Sequence, residues 1–131
     1  MTEREAKQLN QLVLAFVGDS VFTLFVRDRL ARTSDSKAGA LHKKASEIVK
    51  ATAQARFLDA LEPEFTDAEK DIARRAKNSH NNTKAKNASV LDYKKATEFE
   101  AVVGYLHLTG QTERLNYIME KSYSIGTGDK L

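Results

Sequence analysis

Apolar residues recur along most of this chain at intervals of three and four, the spacing of helices that bury one side. The first such run predicts a helix over residues 6–31. Its apolar positions, Leu9, Leu12, Val13, Phe16, Val17, Phe22, Leu24, Phe25 and Leu30, cover more than one face, so it is expected to be contacted from several sides. Residues 33–36 read as a turn, with Asp35 or Ser36 capping the second helix. That second helical run spans 37–61, carrying Leu41, Ala45, Ile48, Val49, Ala53, Phe57, Leu58 and Leu61, with a bend or split expected near Thr52 and a stop at Pro63. Thr66 followed by Glu69 is a capping-box pattern that opens a third helix running to Lys77.

Residues 78–89, NSHNNTKAKNAS, lack apolar periodicity and read as an exposed polar loop. A fourth helix is predicted over 90–108, with Gly110 just past its end, then a short last helix around Leu115, Ile118 and Met119, and a frayed tail from Ser124. One proline among 131 residues and no alternating strand pattern agree with an all-α chain. The reading is a single helical domain over 1–131, of about five to seven helices.

Composition narrows the chemistry. No cysteine is present, which excludes disulfides, thiolate metal sites and cysteine nucleophiles, and suits a cytoplasmic protein. The apolar run from Leu12 to Val26 is interrupted by Gly18, Asp19 and Ser20, too polar to span a bilayer, so no membrane association is expected. The formal charge is only +3, but its distribution is uneven. Arg74, Arg75, Lys77, Lys84, Lys86, Lys94 and Lys95 lie in a stretch whose one acid is Asp92. A positive face of this kind suits a polyanion, although each lysine alone is an ordinary surface charge.

Two acids stand out by their neighbours: Asp19 within LVLAFVGDSVFTLFV and Glu100 within FEAVVGYLHL. An unpaired carboxylate among packed apolar side chains costs roughly several kcal/mol unless it pairs or takes a cation. Either acid alone is best explained by a solvated edge or by an arginine such as Arg27 or Arg114. Their shared setting favours something else. Gly18 precedes Asp19 and Gly104 follows Glu100 by four residues, and mid-helix glycines point to close backbone contact. Two helices packed that tightly could bring the carboxylates together, where Mg²⁺ would relieve their repulsion. Spacing alone leaves open whether they meet. The three histidines, His42, His80 and His107, follow no zinc-ligand pattern, and Ser20 lacks a partnered base.

The run AFVGDSVFTLFVRDRL resembles the signature helix of the ribonuclease III catalytic domain, and ATEFEAVVGYLHLTG resembles that family's second motif. The likeness extends from about Leu9 to Leu115 and is nearest to the Mini-III ribonucleases, which are free-standing catalytic domains without a double-stranded-RNA-binding domain. It implies a Mg²⁺-dependent endoribonuclease of double-stranded RNA that leaves 5′-phosphate and 3′-hydroxyl ends, with Asp19 and Glu100 as catalytic metal ligands. Ala15 and Thr97 stand where larger members carry two further acids. Thr97 is then a candidate for orienting a water, or simply bonds back to its own helix.

The resemblance further implies a two-fold homodimer, which sets one site against each strand of a duplex. Phe16 stands at the position of the aromatic that enters a socket on the second subunit; Gly18 and Phe22 are the other candidate dimer contacts, unless this is only a monomer's core helix. The candidate RNA-binding set is Arg74, Arg75, Lys77, Asn78, Lys84, Lys86, Asn87, Lys94 and Lys95, for phosphates and 2′-hydroxyls. Tyr93 contacts sugar or packs on its own helix. Large-subunit ribosomal RNA precursor, with a ribosomal protein on the precursor particle, is the implied substrate. The rival reading is a non-catalytic helical RNA-binding module of the same fold. A dimeric DNA-binding protein is less well supported, since no helix-turn-helix turn flanks the basic segment.

Overall fold

The computed structural model describes residues 1–79 and 89–128, and among these all regular structure is helical. Seven α-helices follow one another: α1 (Glu3–Gln8), α2 (Gln11–Thr33), α3 (Ala38–Val49), α4 (Ala51–Leu61), α5 (Asp67–Lys77), α6 (Val90–Leu108) and α7 (Thr112–Thr127), with a short 3₁₀ turn at Glu62–Glu64.

The helix starts follow local side-chain chemistry. Thr2 with Glu5 and Thr66 with Glu69 each close a reciprocal capping box, satisfying backbone N–H groups that have no partner inside the helix. Ser89 accepts from the Asp92 N–H at 3.0 Å and so opens α6 where the pattern predicts.

Three boundaries differ from the sequence reading. The helix expected over 6–31 is divided, because the Asn10 side chain accepts from the Leu12 N–H at 2.8 Å and starts a new helix inside the apolar run. The 37–61 run does break, but at Lys50, whose extended backbone (φ −65°, ψ 157°) ends α3 and begins α4. The last helix is long and continues through Ser124 to Thr127, where Gly128 in the left-handed conformation (φ 78°) terminates it. Buried Ile118, Met119, Ser122 and Tyr123 hold that helix to the core.

Helix α6 is the centre of the molecule, with α2, α4, α5 and α7 all packed on it. This explains why its apolar residues run around the helix instead of along one stripe. Phe22 of α2, Phe57 of α4 and Phe99 of α6 are fully buried and meet edge to face, with ring centroids 5.1–5.9 Å apart. On the other side, Arg114 of α7 donates to both carboxylate oxygens of buried Glu69 at 2.9 Å and to the Glu64 carbonyl. This fork ties α7 to α5, so Arg114 is not the partner of Glu100.

Where α2 crosses α6, backbone meets backbone at two glycines. A Cβ added at Gly18 would lie 1.8 Å from the Glu100 carbonyl oxygen, and one at Gly104 would lie 1.9 Å from that of Leu14. Only glycine at both positions allows this approach. Gly18 and Phe22 are therefore enclosed within the chain's own core, which corrects their expected place at a subunit contact; of the three, only Phe16 faces outward, at 76% exposure.

Candidate active site

The glycine crossing determines where the two conspicuous acids go. Gly18 rests on the main chain of Glu100, so Asp19, the next residue of α2, emerges beside the Glu100 side chain. Both carboxylates line one cleft of about 390 Å³, together with Leu12, Phe16, Gln54, Ala96 and Thr97. Asp19 is exposed and Glu100 half-buried.

Burial pushes the Glu100 carboxyl up to about 9, and a hydrogen bond shared with Asp19 and the Asp19 charge push it the same way. The Gln54 amide opposes this weakly by donating to Glu100 Oε2 at 3.4 Å. No lysine or arginine figures among the groups acting on Glu100. Asp19 and Glu100 thus meet in a cleft that no lysine or arginine among the described residues lines.

That arrangement fits a hard divalent cation. Among the described residues no three His, Asp or Glu side chains converge, so the charged donors are this pair alone. Two carboxylates suffice for Mg²⁺, which keeps several of its waters and takes further oxygens from a substrate phosphate. Thr97 lines the same cleft, and its hydroxyl donates back to the Tyr93 carbonyl at 3.0 Å, the own-helix bond that was its alternative. Only its acceptor lone pairs remain for the cleft.

The basic residues are distributed on the opposite side of α6. Lys77, Asn78 and Lys94 are exposed. Arg74 pairs with Asp71 at 2.6 Å and Lys95 with Asp59 at 2.8 Å. Arg75 is turned toward α1, donating to the Lys7 carbonyl at 2.6 Å, so its guanidinium serves the fold more than the surface. Lys84, Lys86 and Asn87 lie outside the described residues. A second cleft of about 250 Å³ is lined by Lys70, Arg74, Lys77, Lys94 and Lys95, with Glu98 buried in its wall. Burial first, then the charge of Glu62, raise the Glu98 carboxyl to about 7 against the pull of Lys77 and Lys95.

Two residues escaped the sequence reading. Gln54 is 2% exposed beside Glu100, yet it carries no charge and sits in ATAQARFL, where one amide is easily passed over. Glu98 shares its local sequence with Glu100, and only the packing distinguishes their surroundings.

Residues 12–111 match the Ribonuclease III domain family. The chain is 42% identical over 120 residues to the Mini-ribonuclease 3 of Clostridium tetani, covering 91% of this chain and 80% of that protein. It is 39% identical to the Mini-ribonuclease 3 of Brevibacillus brevis, covering 96% and 94%. A crystal structure of a protein from Fusobacterium nucleatum superposes with a TM-score of 0.81 at 27% identity, covering 86% of this chain and 90% of that one.

Proposed function

The chain belongs to the ribonuclease III family, in the company of Mini-ribonuclease 3 proteins, and from that premise we propose that it is a divalent-metal-dependent endoribonuclease of double-stranded RNA. The observation that carries the reading is the Asp19–Glu100 pair, two carboxylates sharing a cleft that no lysine or arginine among the described residues lines. When bound there, Mg²⁺ supplies charge neutralisation at the scissile phosphate and acidifies the attacking water.

The protein's own groups do the rest. Asp19 and Glu100 would hold the ion through their carboxylate oxygens. In-line attack by water on phosphorus would break the P–O3′ bond, the leaving O3′ taking up a proton, and so give a 5′-phosphate and a 3′-hydroxyl. Thr97 offers acceptor lone pairs to a water in the cleft. On this reading the exposed Lys77, Lys94 and Asn78, on the side of α6 away from the cleft, contact phosphates and 2′-hydroxyls of the RNA helix.

A single cleft reaches one strand, so a second copy is part of the proposal. Val13, Phe16, Ser20 and Leu24 form an exposed row along α2, with Phe16 and Leu24 76% and 70% exposed, and Asp19 lies beside it. Large apolar side chains aligned on one face suit a self-complementary contact. Sedimentation should give a dimer that Phe16→Ala shifts toward monomer; an unchanged dimer would remove Phe16 from the contact. The proposed natural substrate is a large-subunit ribosomal RNA precursor, met on a particle that carries ribosomal protein, in the cytoplasm.

The decisive assay incubates structured duplex RNA with the protein, with and without Mg²⁺. Cuts that need the metal, carry 5′-phosphates and vanish in Asp19→Asn and Glu100→Gln while RNA binding persists are the expected result. Binding without cleavage by the parent chain would instead identify a non-catalytic RNA-binding module.

A further inference from the structure

We propose that Gln54 is a positioning residue for the Glu100 carboxylate, and that its amide sets how tightly the Asp19–Glu100 pair takes a divalent ion. The inference rests on the reading of that pair as the metal-holding site.

Gln54 occupies the first turn of α4, 2% exposed, between buried Ala53 and Ala55 and one turn from buried Phe57 and Leu58. Its Nε2 donates to the Val49 carbonyl at 2.9 Å and to Glu100 Oε2 at 3.4 Å. A carbonyl and a carboxylate both accept, which fixes the way the amide faces. Oε1 then points away from both and is buried without a hydrogen-bond partner. A buried acceptor lacking a donor destabilises a fold, and an apolar side chain of similar length would carry no such penalty. Stability alone therefore does not account for a glutamine here.

What the amide provides is a link between two fixed points. Val49 ends α3 at the extended Lys50 break, and its carbonyl anchors the amide from one side. On the other side the amide holds one oxygen of Glu100, a side chain whose main chain is already pressed against Gly18 by the helix crossing. A Glu100 carboxylate held at its oxygen loses less rotational freedom when an ion arrives. Hydrogen-bonding partners behind a metal ligand typically change metal affinity by about 10- to 100-fold when removed.

The test uses Gln54→Met and Gln54→Leu in the full chain, neither of which has a donor or an orphaned acceptor. Three measurements are compared with the parent: thermal unfolding without metal, Mg²⁺ and Mn²⁺ affinity by calorimetry, and the Mg²⁺ dependence of duplex RNA cleavage. The expected result is an unfolding midpoint equal to or above the parent's, divalent affinity weaker by ~10- to 100-fold, and a cleavage rate that recovers as Mg²⁺ is raised. Parental affinity in a folded variant overturns the proposal, as does a lower midpoint with unchanged affinity, which is the signature of a merely structural residue. Failure of both variants to fold would contradict the claim that the amide is a burden on the fold. Glu100→Gln separates the two levels. If it abolishes ion binding while the Gln54 variants do not weaken it, the metal site stands and the role of Gln54 falls; if Glu100→Gln keeps parental affinity, both fall.

Discussion

Helix α6 carries Glu98 and Glu100 two residues apart, and the two carboxyls face different clefts, of which only the first is lined by lysines among the described residues. Both are pushed up by burial, Glu98 to about 7 and Glu100 to about 9. Around Glu98 the charges of Glu62 and Asp59 add to the rise, while Lys77 and Lys95 oppose it in a cleft that Lys70 and Lys94 also line. Around Glu100 the neighbouring charge is another carboxylate, Asp19. The contrast shows that burial alone does not make a site. An acid with lysines beside it has part of its charge answered by the protein, whereas a pair of acids with none among the described residues leaves a negative charge that an external cation can balance.

The largest effect expected from breaking this contrast is chemical. Glu100→Gln or Asp19→Asn should lower duplex RNA cleavage by ~10³-fold or more, since a metal at a phosphate is worth several kcal/mol of transition-state stabilisation. Glu98→Gln, on the same helix but in the other cleft, should leave the rate at saturating RNA near the parent's. Equal losses in single-turnover assays would erase the distinction between the clefts.

Next comes the crossing that sets the geometry. Gly18→Ala places a methyl group 1.8 Å from a carbonyl oxygen, so α2 and α6 must separate. Urea unfolding should show a loss of about 2–3 kcal/mol, at the upper end for overpacking, together with weaker Mg²⁺ binding as the carboxylates move apart. An unaffected midpoint would mean the crossing is not held closed in solution.

The two acids also differ in how they bear on stability. A carboxyl raised from its ordinary value favours the fold fully below about 4.5 and loses that contribution as pH rises through its folded value. Glu98 therefore destabilises between about 4.5 and 7, and Glu100 between about 4.5 and 9. Glu98→Gln should flatten the fall below pH 7 and add about 2–3 kcal/mol at pH 8, leaving the limb due to Glu100, which Mg²⁺ should remove. Stability that rises with pH across this window would reverse the sign and contradict the burial argument.

The smallest effect belongs to the basic side. Lys77→Ala with Lys94→Ala should weaken duplex RNA binding severalfold and reduce the salt slope by about one to two, with little change in the rate once RNA is bound. A salt slope equal to the parent's would take both lysines away from the phosphates.

Much of this is legible in the chain itself, for identifiable reasons. Capping boxes, the polar break before α6 and the helical periodicity are local signals, and the Thr66–Glu69 box and the start of α6 lie where they predict. The Asn10 start inside an apolar run is hidden because the hydrophobic pattern continues across it. Gly18 and Gly104 announce a close contact, but Gly18 serves as readily for a subunit interface as for the internal crossing with Glu100 that it makes. Gln54 is invisible, because its significance lies in an unpaired oxygen and a long-range bond to Glu100, neither of which leaves a local trace. Thr97 makes the bond to its own helix that the sequence allows, and its acceptor lone pairs still face the cleft.

The central physical claim is a carboxyl pair that holds a proton until a divalent ion displaces it. The direct measurement is calorimetric titration of Mg²⁺ into the chain at pH 7 in buffers of different ionisation enthalpy, for the parent and Glu100→Gln. Release of about one proton per bound ion, lost together with the binding in Glu100→Gln, is the predicted result. Ion binding without proton release, unchanged by Glu100→Gln, would contradict it.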